Sequence, residues 1–243
     1  MSKTLDFDTF TPLYHQLKEI IIENIETGEW KPGDKIPSEY SLQTQYGISR
    51  NTVQAALDDL VKDGKLERKK GLGTFVTRPK IEQSLTTFYS FSKVMQSKGL
   101  DPEDIVLSVN KINASQLIAK QLDINEFDPV IALQRIRKAS NEPIILETSY
   151  LPGSIVPALK KENLKDISLY DYLEKKHQII VMKANESFEP VLTRADESIH
   201  LEVEEGSPSL MLDRIAYDQF GRKVEFCRSI VRGDRCKFYT ELL

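Results

Sequence analysis

Apolar positions along the chain change their period near residue 80. Before it they recur at three- and four-residue intervals. Leu13, Leu17, Ile20, Ile21 and Ile25 form one stripe, and Val53, Ala56, Leu57 and Leu60 form another. Such spacing places apolar side chains on one buried face of a helix. The first stripe predicts a helix capped by Thr11, with Pro12 at its first position, where a missing N–H leaves nothing unpaired. Gly28 closes it. A second helix is predicted from Pro37-Ser38-Glu39, with Ser38 as the N-cap and Gly47 as the stop. Ser49 then caps a third helix over 50–61, on which Arg50, Asn51 and Gln54 lie off the apolar face. The segment 66–77 reads as two short strands around a tip that holds Gly71 and Gly73, with Arg68, Lys69 and Lys70 leading into the turn.

Beyond residue 80 strands dominate. Helices are predicted over 87–99, 114–122, 169–176 and 194–201, and strands over 105–109, 130–139, 143–151, 179–188, 209–217 and 223–232. The turn at Ser140-Asn141-Glu142 joins one pair as a hairpin, and a loop with Gly221 joins another. Hairpins with interspersed helices predict an α+β domain built on a mostly antiparallel sheet. Beyond these two look-alike hairpins no internal repeat is evident. The expected division is a domain over 1–79, closed near Arg78-Pro79, a linker over 80–85 and a second domain over 86–243.

Helix, tight turn, helix and basic hairpin is the layout of a winged helix-turn-helix, mainly α with a β-hairpin wing. A polar first turn on the third helix suits the major groove, so Arg50, Asn51, Thr52 and Gln54 are expected to read or grip it. Lys69, Lys70 and Gly71 are expected at phosphates and the minor groove, because glycine lets backbone approach closely and lysine supplies counter-charge. Ser38, Glu39, Ser49 and Thr74 complete the expected DNA-binding set. A solvated basic turn is the alternative for the wing cations taken alone.

Composition tempers this picture. The net charge is -4 and the pI about 5.6, no general signature of a nucleic-acid binder. Binding needs a local basic surface, however, and cations gather at Arg50, Lys65, Arg68, Lys69, Lys70 and Arg78. With 243 residues the chain suits two domains. No apolar run approaches the roughly 20 residues that span a bilayer, and residues 1–6 lack a signal peptide's apolar core. The expectation is a cytoplasmic protein without membrane contact. Cys227 and Cys236 show no metal or redox spacing, and His15, His177 and His200 are scattered, so neither a metal nor a cofactor is expected.

Pro37-Ser38-Glu39, Ser49-Arg50-Asn51-Thr52-Val53 and Gly71-Leu72-Gly73-Thr74-Phe75-Val76 resemble the N-terminal signature of GntR-family bacterial transcription regulators. Pro12 to Leu17 and Gly28 to Ile36 follow the same pattern. Tyr40 and Gln54 depart from it, each standing where the family commonly has arginine. The second domain resembles the effector-binding (UTRA) domain of the HutC subfamily, similar in fold to chorismate lyase. The resemblance rests on Leu133 to Arg137, Glu147 to Pro152, Ser168 to Leu173 and Val224 to Arg235.

That resemblance implies a pocket formed by Phe91, Ser92, Lys93, Arg135, Arg137, Glu147, Ser168, Tyr170 and Glu225, and a ligand that is often a phosphorylated sugar. Val231 stands where some relatives that bind amino-sugar phosphates carry tyrosine. The residues themselves fit such a role. Arg135 and Arg137 share one face of a strand and offer two guanidinium forks to an anion. Ser168 adds a hydroxyl at a helix N-terminus. Glu147 and Glu225 would accept from sugar hydroxyls or an amine. A solvent-facing strand edge for the arginines, surface positions for the two glutamates and a core position for Tyr170 remain open.

The expected function is a homodimeric DNA-binding regulator on an operator of inverted half-sites, a repressor relieved by a small metabolite, with a phosphorylated sugar as the expected effector. Two alternatives stand beside it. One is a DNA-binding protein whose second domain only dimerises. The other is a lyase-like enzyme, against which no Ser-His-Asp, Cys-His or metal constellation is present.

Overall fold

Serine caps and glycine stops divide the first third of the chain into three helices, and a hairpin follows them. The computed structural model describes residues 4–69, 71–78, 80–85, 91–165 and 167–241. The chain separates into two units, Met1–Pro79 and Lys80–Leu243. In the first unit α1 spans Leu13–Glu26, α2 Glu39–Tyr46 and α3 Arg50–Lys62, followed by β1 Leu66–Lys69 and β2 Gly73–Val76. Leu17, Ile21, Leu42, Val53, Leu57, Leu60, Leu66 and Val76 form one buried core. Ser38 Oγ accepts from Ser41 N at 3.1 Å, and Ser49 Oγ accepts from Thr52 N at 3.2 Å. Gly47 turns the chain at φ 65°, a conformation that side chains resist.

The start of α1 differs from expectation. Pro12 rather than Thr11 occupies the cap position, and no side chain caps it. The Pro12 carbonyl accepts from His15 N and Gln16 N, so it is the first carbonyl of the helical ladder. The Gln16 amide holds the entry segment instead, donating to the carbonyls of Asp6 and Thr11. In the wing, β1 and β2 pair antiparallel from Leu66↔Val76 to Lys69↔Gly73. Val76 N donates to Asp34 O and Ile36 N to Thr74 O, which ties the hairpin to the segment before α2.

The second unit opens with β3 Ile81–Ser84 and α4 Phe91–Ser97. Then come β4 Pro102–Asn113, α5 Gln116–Leu122, β5 Pro129–Ala139 and β6 Glu142–Pro152. The chain continues through α6 Leu169–His177, β7 Val181–Leu192, α7 Ala195–Leu201, β8 Pro208–Asp218, β9 Lys223–Arg232 and β10 Cys236–Tyr239. Six strands form one antiparallel sheet in the order β4-β5-β6-β9-β8-β7. Residues 81–84, expected in a linker, are instead a strand. β3 pairs in parallel with β10 from Ile81↔Cys236 to Ser84↔Tyr239. Alternate burial fits this, since Ile81 and Gln83 are buried and Glu82 is exposed. The expected helix over 87–99 is observed from Phe91 to Ser97, and residues 86–90 lie outside the described residues.

The sheet is also more regular than the hairpins suggest. It is built from one unit used twice, β4-α5-β5-β6 and β7-α7-β8-β9. Their lengths are 12, 7, 11 and 11 residues against 12, 7, 11 and 10. The joints match bond for bond. Ala114 N donates to Asp128 O at 2.9 Å, and Thr193 N to Ser207 O at 2.9 Å. Gly153 N donates to Pro129 O, and Gly233 N to Pro208 O. β6 and β9, the last strand of each unit, pair at the centre.

Candidate nucleic-acid interface and ligand cavity

On the first unit a single carboxylate organises the polar turn of α3. Glu39, at the start of α2, accepts from Gln54 Nε2 at 3.1 Å. Its other neighbours are Arg50 Nε at 3.7 Å and Arg68 Nη2 at 3.8 Å. Arg68 also pairs with Asp58. Arg50 keeps a side chain that is 70% exposed, able to reach outward. Ser38 and Ser49 turn their hydroxyls inward on their own helices, and Thr52 Oγ1 lies 2.8 Å from Ser49 Oγ. Asn51 is exposed beside Arg50. In the wing Lys69 pairs with Glu67 at 3.3 Å and lies 5.1 Å from the Phe75 ring centre. Gly71 is exposed, Thr74 is half-buried, and Lys70 lies outside the described residues.

In the second unit one face of the sheet floors a cavity of about 60 Å³, room for a few waters. Strand alternation brings its charged groups together. Arg135 and Arg137 on β5 point to the same face as Glu147 on β6, Arg214 on β8 and Glu225 on β9, and all five line the cavity with Phe91, Ser168 and Tyr170. The arginines are not a solvent edge. Arg135 is 4% exposed and Arg137 9%. Ser92 lies beside the cavity, its Oγ 3.5 Å from Arg137 Nη2. Lys93, expected in the pocket, is part of α4 but does not line the cavity.

Each guanidinium already meets a carboxylate. Arg135 bonds Glu147 directly across the strand pair and reaches Asp104 at 3.3 Å. Arg137 Nε donates to Asp104 Oδ1 at 2.9 Å, and its guanidinium lies 4.5 Å from the Phe91 ring centre. Burial disfavours the charge of Arg135, yet Glu147 and Asp104 outweigh it and hold its pKa above the ordinary value. Burial likewise opposes the charge of Asp104, and Arg137 and Arg135 overcome it, holding that carboxyl below its usual range. Arg135 Nε is buried without a hydrogen-bond partner among the described residues.

At the other end Tyr170 donates to Glu225 at 2.6 Å. Burial first, and the Glu225 charge second, push the Tyr170 hydroxyl well above its usual pKa, so it remains a donor. Arg214 Nε donates to Glu186 at 2.6 Å. Ser168 caps α6 by accepting from Asp171 N and lines the cavity with that helix end. Cys227 and Cys236 also line the wall, and burial pushes Cys236 up to about 12, so neither charge nor reactivity attaches to it at neutral pH.

Sequence patterning does not point to Asp104, to Arg214, or to the β3 and β10 residues Gln83 and Phe238. A signal for Arg214 nevertheless exists. Leu133-Gln134-Arg135-Ile136 and Leu212-Asp213-Arg214-Ile215 are the same tetrapeptide pattern at equivalent places in the two repeated units. Val231 is fully buried on β9 opposite Ile145 and is not part of the lining. Among the described residues no group of three or more histidine, cysteine or carboxylate side chains could hold a metal, and no helix is long and apolar enough to cross a membrane.

A helix-turn-helix with a wing, followed in the chain by a sheet domain with a charged cavity, is the architecture of a DNA-binding regulator. Residues 13–76 match the bacterial regulatory proteins of the gntR family, and residues 97–237 match the UTRA domain. The chain is 34% identical to the HTH-type transcriptional repressor NagR of Bacillus subtilis (strain 168) over 227 residues, 93% of each chain. It is 30% identical to the mannosyl-D-glycerate transport/metabolism system repressor MngR of Escherichia coli (strain K12), over 93% of this chain and 94% of that one. The crystal structure of PhnF from Mycobacterium smegmatis superposes with a TM-score of 0.63 at 28% identity, covering 95% of this chain and 98% of that one. The chain belongs to the GntR family, in its HutC subfamily, with a UTRA domain following the helix-turn-helix. It is a DNA-binding transcription regulator, not an enzyme.

Proposed function

We propose that this regulator is a homodimeric repressor of an operator with inverted half-sites, released by a small phosphorylated sugar bound in the sheet cavity. Two buried arginines on one wall of that cavity, with Ser168 at the α6 N-terminus also in its lining, carry the reading. A phosphate dianion competes for Arg135 and Arg137 with Asp104 and Glu147, and Arg135 Nε is a donor that no group among the described residues uses. Tyr170 and Glu225 offer a donor and an acceptor for sugar hydroxyls. The repressor names of NagR and MngR, the latter a mannosyl-D-glycerate system, support both the sign and the carbohydrate class. The two-fold operator follows from dimer symmetry.

Coupling to DNA runs through β3. A sugar phosphate in the cavity bears on its wall. Ile81 and Gln83 of β3 and Phe91 and Met95 of α4 are in that wall, and β3 follows the DNA-binding unit directly in sequence. The effector and the operator then oppose each other by the same factor. Fluorescence anisotropy on fragments of the upstream DNA, titrated with hexose phosphates and their parent sugars, tests this. Release by one phosphate ester and not by its parent is expected. A complex indifferent to every phosphate in the set, or released equally by the parent, refutes the effector class.

A further inference from the structure

We propose that Gln54 reads an adenine in each operator half-site, and that Glu39 selects which end of its amide faces the DNA. The inference deepens the DNA-binding assignment and rests on it. Gln54 stands one helical turn after Arg50, on the polar side of α3, and is half-buried against α2. Its amide nitrogen donates to Glu39 Oε2 at 3.1 Å. A carboxylate only accepts, so the nitrogen end of the amide must face Glu39 and cannot exchange places with the oxygen. Arg50 and Arg68 flank the same carboxylate at 3.7 and 3.8 Å.

The amide has two hydrogens. In the proposed pose Glu39 takes the one remote from the carbonyl oxygen, which leaves the hydrogen beside that oxygen as half of a donor–acceptor pair. Adenine presents the complementary pair in the major groove, its N7 as acceptor and its N6 amino group as donor. Guanine presents two acceptors there and cannot satisfy the carbonyl oxygen. An arginine at this position would prefer guanine for the converse reason. Gln54 therefore sets one A·T pair per half-site, while Arg50, with its exposed guanidinium, remains the group suited to guanine or phosphate. Glu39 is a positioning residue whose effect is felt through base preference.

Selection of bound duplexes from a random-sequence library by the full chain tests the assignment. The wild type is expected to enrich an A·T pair at one position of each half-site, with a roughly 5- to 150-fold loss of affinity when that pair is replaced. Gln54→Arg is expected to move that position, and no other, to G·C. Gln54→Ala should leave it unspecified. Glu39→Ala should weaken the preference there while raising affinity for all sequences, since Arg50 and Arg68 lose a competing anion. Thermal melting of each variant separates misfolding from altered reading. If wild type and Gln54→Arg enrich the same site equally, Gln54 reads no base. If the wild type enriches no sequence at all, sequence-specific DNA reading itself falls, a result distinct from the loss of Gln54's role.

Discussion

The two repeated units of the effector sheet share a backbone and differ in charge. Each runs strand, seven-residue helix, strand, hairpin, strand, and each ends on a glycine bonded to the proline that begins its hairpin. Arg135 and Arg214 occupy equivalent places, since Arg135 faces Glu147 across its hairpin and Arg214 faces Cys227 across the other. The neighbours diverge. In the first unit Arg137 and Glu147 complete a buried network with Asp104, whereas in the second Ala216 and Cys227 take those places and Arg214 turns sideways to Glu186 on β7. The repeat supplies a frame with unequal charge in it, and the proposed effector reading puts the anion at the half that holds two arginines. A cavity at the seam of two like halves thus acquires a direction, which a symmetric pocket would lack.

Breaking the charge on either side should give unequal results. Glu147→Ala strands Arg135 in the interior with its closest counter-ion gone, and urea denaturation should show a loss of about 3–5 kcal/mol. The equivalent change in the other unit, Cys227→Ala, removes one small buried group and should cost about 1 kcal/mol. Equal losses would mean that the ion pair does not distinguish the halves. Breaking the shared frame should give matching results instead. A Cβ at Gly153 would lie 2.7 Å from Pro129 O, and one at Gly233 would lie 2.7 Å from Pro208 O. Gly153→Ala and Gly233→Ala should each lose about 1–3 kcal/mol by strain against backbone. A loss at only one of them would show that the joints are not mechanically alike.

The smallest effect concerns acid. Asp104 is held below its ordinary pKa in the folded state, because Arg137 and Arg135 outweigh the burial that opposes its charge. The unfolded chain binds that proton more readily, so the stabilisation is present above the ordinary carboxylate value of 3.8 and fades as pH falls through the folded value. Asp104→Asn should therefore destabilise the protein near neutral pH and approach the wild type in strong acid. A constant difference from neutral pH down into strong acid would place the stabilisation elsewhere.

Local features are legible in the amino-acid order, and long-range ones are less so. Ser38, Ser49 and Ser168 announce helix starts because a hydroxyl is the simplest partner for an orphan N–H, and each does cap its helix. Strand period alone places Arg135 and Arg137 on one face. It cannot join Asp104 to them, since only the register Asp104↔Arg137 brings it there. β3 and β10 leave no local trace, because each has four residues and their pairing joins positions 155 apart, as in Glu82 and Lys237. Family resemblance places Lys93 in the pocket, yet in the first turn of α4 it is Phe91, with Met95 one turn on, that is buried against the cavity. The repeat is visible in Leu-x-Arg-Ile but hidden by the scarcity of other identities.

Calorimetric titration of the full chain with a set of hexose 6-phosphates, repeated on Arg137→Lys and Arg214→Lys, tests most directly whether one half of the sheet holds the anion. Lysine keeps the charge and removes the guanidinium fork, so folding is perturbed less than by alanine. Phosphate-dependent binding that is lost in Arg137→Lys and kept in Arg214→Lys is the predicted result. Binding lost in Arg214→Lys alone would contradict an anion-binding first half, as would a sugar phosphate bound no better than its parent sugar.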